Sequence, residues 1–196
     1  MGRSWWNSVP IKYYVSLCCR VDNIPQFEPT NKSVGIDLGL KAFLITSDGT
    51  KFDNQKFLSK SERLLKRVQK KFSKSETNGK NHEKLRVRLA KRYERVSNQR
   101  KDYLHKLSTT LIKQYDIICL ENLKVQNMVK NHRLAKSIQD VSWGKFVRML
   151  QYKANWYGKY IQRVDTYYPS SQICSCCGYQ NIAVKDLSCL LYTSPS

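Results

Sequence analysis

Two carboxylates far apart in the sequence sit on short apolar segments. Asp37 lies inside Val34-Gly35-Ile36-Asp37-Leu38-Gly39, and Glu121 closes Ile117-Ile118-Cys119-Leu120-Glu121. Segments this apolar predict buried strands, and an isolated buried carboxylate is costly unless a partner or a metal compensates it. Two such acids therefore point to one shared site for Mg2+ or Mn2+, hard cations that favour oxygen ligands. A pair of ions about 3.5–4 Å apart can activate water and stabilise a departing oxygen, which is the chemistry of phosphodiester hydrolysis. Gly35 and Gly39 would let a backbone bearing metal and phosphate come close. Taken singly, each acid has a bland reading, Asp37 as a strand-end residue near a turn and Glu121 as a surface acid beside a helix cap.

A second constellation is Cys174-Ser175-Cys176-Cys177-Gly178. Cys174 and Cys177 have the knuckle spacing that aims two thiolates at one tetrahedral Zn2+. Four ligands are needed, the spacing of Cys176 or Cys189 gives no support for completing the set, and no histidine follows His132. Half a zinc ribbon and a reduced-thiol turn without metal both stay open on spacing alone. Aromatic and basic residues interleave in Trp143-Gly144-Lys145-Phe146 and Trp156-Tyr157-Gly158-Lys159-Tyr160. Such residues can stack on bases, although helical spacing favours a place in the core. His82, His105 and His132 fall in basic, exposed surroundings without ligand spacing. Gly-Ile-Asp-Leu-Gly could also open the phosphate loop of an actin-like phosphotransferase. That loop normally continues with hydroxyl residues, whereas here Leu40-Lys41-Ala42-Phe43 follows, so this reading ranks below the metal-dependent one.

The elements that must position these residues follow from periodicity. Ile11 to Val21 alternates as a strand and leads into a Pro-containing linker, with a boundary near Asn31. Ser33–Leu38 and Phe43–Thr46 read as strands, and Ser47-Asp48-Gly49-Thr50 as a hairpin turn into a third. From Ser59 the period becomes helical: Leu64, Val68 and Phe72 form one stripe, and Leu85, Leu89, Val96, Tyr103, Leu107 and Leu111 another after a break at Thr77-Asn78-Gly79. Asp116–Leu120 returns to a strand, Ser142–Tyr160 gives a helix with Phe146, Leu150, Lys153 and Tyr157 on one side, and Ile161–Asp165 closes as a strand. The order describes an α/β or α+β layer fold.

Charge narrows the partner. Lys plus Arg number 35 against 15 Asp plus Glu in 196 residues, a formal net charge of +20. Between Lys60 and Lys106 there are 17 basic and 5 acidic residues. A merely solvated helix face would mix both signs, so Lys66, Arg67, Lys70, Lys71, Arg86, Arg88, Lys91, Arg92, Arg95 and Arg100 are expected to track a phosphate backbone. DNA or RNA is favoured over a membrane, because no apolar run approaches the roughly 18–20 residues of a span. Met1-Gly2-Arg3-Ser4-Trp5-Trp6 lacks the apolar core of a secretion signal. A cytoplasmic location is expected, with the 7 cysteines as thiols or metal ligands.

In this order, several stretches resemble the TnpB (OrfB) family of insertion-sequence proteins, transposon-encoded RNA-guided nucleases related to type V CRISPR effectors. They are Tyr13-Tyr14-Val15-Ser16, Val34 to Gly39, Asn98-Gln99-Arg100-Lys101-Asp102, Ile118-Cys119-Leu120-Glu121-Asn122-Leu123, Ser142-Trp143-Gly144, and Pro169-Ser170-Ser171 leading into Cys174 to Gly178. The resemblance implies an RNase H-like (RuvC-like) mixed sheet with Asp37 and Glu121 as its first and second metal-binding acids. It implies an inserted basic helical pair at about residues 59–115, lying against a guide RNA and target DNA heteroduplex. Cys174 and Cys177 would begin a zinc ribbon at 169–188, residues 1–31 would be the remnant of a wedge-type β domain, and 32–168 the nuclease core. A prokaryotic, nucleoid-associated transposase of the RNA-guided endonuclease type is the implied function, with base pairing reading the target.

The departures shape the expectation. A family member would carry more sequence before residue 11, a second cysteine pair after Ser188 and a third catalytic Asp in an Asp-Arg-Asp segment, whereas residues 189–196 read as an aberrant tail. The chain is therefore expected to be a fragment whose metal-dependent hydrolysis is impaired, since two carboxylates hold two ions poorly. The alternative is a non-catalytic guide-RNA or DNA-binding remnant.

Overall fold

The computed structural model describes residues 15–21, 23–24, 26–77, 79–121, 132–164 and 179–180. Five strands, β1 (Ser33–Leu38), β2 (Ala42–Thr46), β3 (Lys51–Asp53), β4 (Ile117–Glu121) and β5 (Tyr160–Val164), form one mixed sheet in the order β3-β2-β1-β4-β5. The first three pair antiparallel as a meander, whereas β4 and β5 run parallel to β1. Among the described residues four helices accompany them: α1 (Phe57–Ser73), α2 (Lys80–Gln114), α3 (His132–Val141) and α4 (Trp143–Tyr157).

Alternation along the strands gives the sheet two unlike faces. Val34 and Ile36 on β1 and Ile118 and Leu120 on β4 are buried beneath Leu104, Leu107, Leu111 and Ile112 of α2, Ile138 and Val141 of α3, and Phe146, Leu150 and Ala154 of α4. Intervening positions face the other way. Phe43 and Leu44, consecutive on β2, are both buried because the β2–β3 register shifts between Ala42 and Leu44, an irregularity that breaks strict alternation. Phe43 meets the ring edges of Tyr103 and Phe146.

Turns and caps hold these layers in place. Gly49, at φ 86°, supplies the left-handed turn between β2 and β3. Asp48 in that turn accepts hydrogen bonds from the Thr46 and Tyr115 hydroxyls and from the Thr50 backbone N–H. These bonds, led by Thr46, hold its carboxyl far below the usual range. Helix α1 lacks a side-chain cap of its own. Instead Asp140 of α3 accepts the Leu58 N–H at 3.2 Å on both oxygens, and its Oδ1 pairs with Arg100 of α2 at 2.5 Å. Asp116 clips the incoming linker: Oδ2 accepts from the Thr30 and Asn31 N–H groups, while Oδ1 pairs with Lys159, which also donates to the Glu28 carbonyl.

Several expectations need correction. Residues 15–21, the described part of the expected first strand, form no strand, and Val15 and Leu17 are 87% and 81% exposed. Alternation alone makes no strand without pairing, and residues 15–21 pair with none of the five strands. The α1 stripe runs through Leu65 rather than Leu64, which is exposed. The helix expected to reach Tyr160 ends at Tyr157, because Gly158 turns left-handed at φ 66° and Tyr160 opens β5. His82 and His105 are half-buried rather than exposed: His82 stacks on Phe72 and bonds Ser75 Oγ. The two aromatic clusters divide, with Trp143 and Phe146 in the core but Trp156 and Tyr160 exposed.

Candidate metal and nucleic-acid site

Adjacent parallel strands bring the two acids together. The β1–β4 register runs Ser33 with Ile117 through Ile36 with Leu120, and Asp37 and Glu121 are the next residue on each strand. Neighbouring strands lie about 4.8 Å apart, and side chains at one register level share a face. Both residues line one open concavity of about 370 Å³ with Gly35, Ile45, Ser47 and Cys119. It opens on the sheet face opposite the helices, at the C-terminal ends of β1 and β4.

One part of the expectation fails. Asp37 and Glu121 are exposed, not buried, because strand alternation turns them away from the helix-covered face. Desolvation therefore does not pair them; strand register does. Exposure leaves their oxygens accessible to a partly hydrated hard cation, which suits Mg2+ and its retained waters. Among the described residues no group of three or more His, Cys, Asp or Glu side chains is placed to hold a metal ion. Gly35 faces the concavity and has room for a methyl group, 3.6 Å from Ser47 Cβ. Gly39 serves the β1–β2 turn instead, where a Cβ would lie 3.1 Å from the Ala42 carbonyl.

Ser47 escaped sequence reasoning. Its Oγ accepts the Gly35 N–H at 3.1 Å and its own N–H donates to the Gly35 carbonyl at 2.8 Å, so it holds β1 two residues before Asp37. A serine in a hairpin turn carries no signal of that distant partner.

The basic residues separate by environment. Lys66, Arg67, Lys70, Lys71, Arg88, Lys91 and Arg95 are exposed on α1 and α2, and Arg92 is half-buried. Lys66 pairs with Glu62 at 2.7 Å and Arg86 with Glu83 at 2.6 Å. Arg100, expected to face phosphate, is instead enclosed with Asp140, at 18% and 10% side-chain exposure. A groove of about 340 Å³ runs between α1 and α2, with Lys60, Arg92 and Arg95 around Phe57, Leu64 and Leu65. Cys174 and Cys177 lie outside the described residues. Among the described residues no helix is long and apolar enough to cross a membrane.

A mixed sheet covered by helices on one face, with an acid pair on its open face and a basic helical hairpin in the same chain, defines a mixed α/β protein. The OrfB_IS605 family model, described as "Probable transposase", matches residues 16–132, more than half of the chain, and the chain belongs to that family. A second model, "Cas12f1-like, TNB domain", matches residues 143–194. A protein of Streptomyces pristinaespiralis named "Putative RNA-guided DNA endonuclease" is 35% identical over 167 residues, covering 85% of this chain and 41% of the relative. "Putative RNA-guided DNA endonuclease InsQ" of Escherichia coli K12 is 30% identical over 183 residues, covering 86% and 45%. "TnpB-like protein L79" of Acanthamoeba polyphaga mimivirus is 28% identical over 195 residues, covering 89% and 35%. The chain thus spans less than half the length of these relatives. A solved chain titled "Cryo-EM structure of the Cas12f1-sgRNA-target DNA complex" superposes with a TM-score of 0.49 at 16% identity, over 76% of this chain and 39% of that one.

Proposed function

We propose that this chain carries the RuvC-like, RNase H-type core of an RNA-guided DNA endonuclease, acting in the cytoplasm on DNA with a guide RNA. The observation that carries the reading is that Asp37 and Glu121, each one residue past the last β1–β4 pair of Ile36 with Leu120, line one concavity. An antiparallel three-strand meander followed by two strands parallel to β1 supports the RNase H-like assignment.

Asp37 and Glu121 would hold Mg2+ or Mn2+ through carboxylate oxygens, and such ions supply water activation and stabilisation of the departing oxygen. The chain's own part is positioning. Ser47 fixes the β1 backbone, Gly35 leaves the concavity unobstructed, and the exposed lysines and arginines of α1 and α2 neutralise backbone phosphates. Two exposed carboxylates make a weak site, so binding is expected to outlast cutting. Cys174 and Cys177 supply two thiolates suited to Zn2+.

Mn2+ binding followed by electron paramagnetic resonance, together with Mn2+-dependent nicking of supercoiled DNA, tests the acids. Asp37→Ala and Glu121→Ala are each expected to weaken Mn2+ binding by roughly tenfold or more and to abolish nicking. Unchanged Mn2+ affinity in both variants would refute the metal assignment and leave a nucleic-acid-binding protein without catalysis.

A further inference from the structure

We propose that a groove between α2 and α4, in the helical layer and apart from the acid concavity, binds a single strand of nucleic acid. The inference rests on reading the chain as a nucleic-acid protein but not on metal binding by Asp37 and Glu121, so the two fail separately.

The groove encloses about 440 Å³. Lys101 and His105 of α2 and Lys145, Arg148 and Tyr152 of α4 line it, and no carboxylate does. Bonded to the backbone of the lining residue His105 is Lys153, only 6% exposed. Its Nζ donates to the His105 carbonyl at 2.8 Å, Ser108 Oγ at 2.7 Å and Thr109 Oγ1 at 2.7 Å. All three acceptors are neutral, and no ion pair to Lys153 is present among the described residues. A buried charge satisfied by hydrogen bonds but unmatched by a counter-charge leaves a positive field in the adjoining groove. Burial, followed by the charges of Lys153 and Lys101, lowers the His105 pKa and favours a neutral ring.

Aromatic surface adjoins this field. Tyr152 meets Trp156 edge-on with ring centroids 4.7 Å apart, and Trp156 is 50% exposed. Cations beside accessible ring faces match phosphates alternating with unstacked bases. A duplex hides its base faces and would use only the charges. Because Asp37 and Glu121 lie on the opposite face of the sheet, the strand gripped here is held rather than cut.

The test uses the full chain in EDTA, with fluorescence anisotropy of oligo(U), oligo(dT) and a duplex, each of about 12 nucleotides per strand. The double variant Lys145→Ala/Arg148→Ala should weaken single-strand binding about tenfold and reduce the slope of log K against log salt by about 1.4. Trp156→Leu should weaken single-strand binding about tenfold while leaving duplex affinity within about twofold. Lys70→Ala/Lys71→Ala, on the hairpin, should show the reverse selectivity. A preference for oligo(U) or oligo(dT) supports the proposal and identifies RNA or DNA as the source of the strand. The proposal is overturned by unchanged single-strand affinity in Lys145→Ala/Arg148→Ala, by equal loss of duplex and single-strand binding in Trp156→Leu, or by a polyglutamate peptide that competes as well as the oligonucleotides.

Discussion

The sheet layer and the α1–α2 hairpin are built on different principles. Helix α2 belongs to both: its 35 residues extend about 52 Å, and only its C-terminal part, Leu104 to Ile112, enters the core against the sheet. The N-terminal part pairs with α1, where Leu65, Val68 and Val96 are the buried apolar residues and stand outside the sheet-packed cluster. Apolar burial thus specifies the layer that carries the acids, whereas a thin apolar seam and, among the described residues, two carboxylate ties to α3 help to hold the layer that carries the charge. One tie is Asp140 with Arg100 and the α1 N-terminus; the other is Glu62 with Lys136. A region with few buried contacts opens at lower free energy than a core, so the hairpin is the part expected to open first while the acids stay fixed.

Core truncation should separate the regions most sharply. Phe146, fully buried and edge-on to Phe43, should lose about 3–5 kcal/mol of global stability on Phe146→Ala, read from urea unfolding. Leu65→Ala should lower global stability by no more than about 2 kcal/mol, while accelerating amide exchange across α1. Equal global losses would show that hairpin and sheet are one cooperative unit. Next in size is Asp140→Ala, which strands the enclosed Arg100 guanidinium and uncaps α1. Its cost should be about 3 kcal/mol, and Asp140→Ala combined with Arg100→Leu should recover much of it. If the double variant is no better than the single, the pair is not what holds α1 to α3.

Much of the sheet layer is legible from periodicity, because alternation and the helical repeat record which face of an element is covered. Strands at 33–38 and 117–121 and the break near Gly79 follow from such patterns. What is not legible depends on partners far away. No local signal says that β1 and β4 pair in parallel and so bring Asp37 and Glu121 to one concavity, although both acids stand out as acids on apolar strands. Arg100 has the same local sequence character as Arg95, yet a carboxylate 40 residues away takes it out of the charged face. Lys153 falls on the apolar side of its helix by spacing, but its three acceptors on α2 belong to tertiary structure. Leu64 and Leu65 are equivalent by composition, and only the angle at which α1 meets α2 selects Leu65.

Acid should distinguish the two regions with the smallest perturbation. Glu62 bridges Lys136 of α3 and Lys66 of α1, and these partners, Lys136 first, lower its pKa from 4.5 to about 2. A carboxyl with a depressed folded-state pKa contributes stability that is present above its unfolded value and lost as pH falls through the folded one. The hairpin's tie through Glu62 is therefore complete above about pH 4.5 and fades toward about pH 2. Amide exchange in α1, corrected for its intrinsic pH dependence, should show this loosening between pH 6 and pH 3 while Phe146 and its neighbours stay protected. Lys136→Met should produce the same loosening at pH 6 and remove most of the acid response. An α1 acid response that is unchanged in both Glu62→Gln and Lys136→Met would assign the hairpin's attachment to its apolar seam rather than to this ion pair.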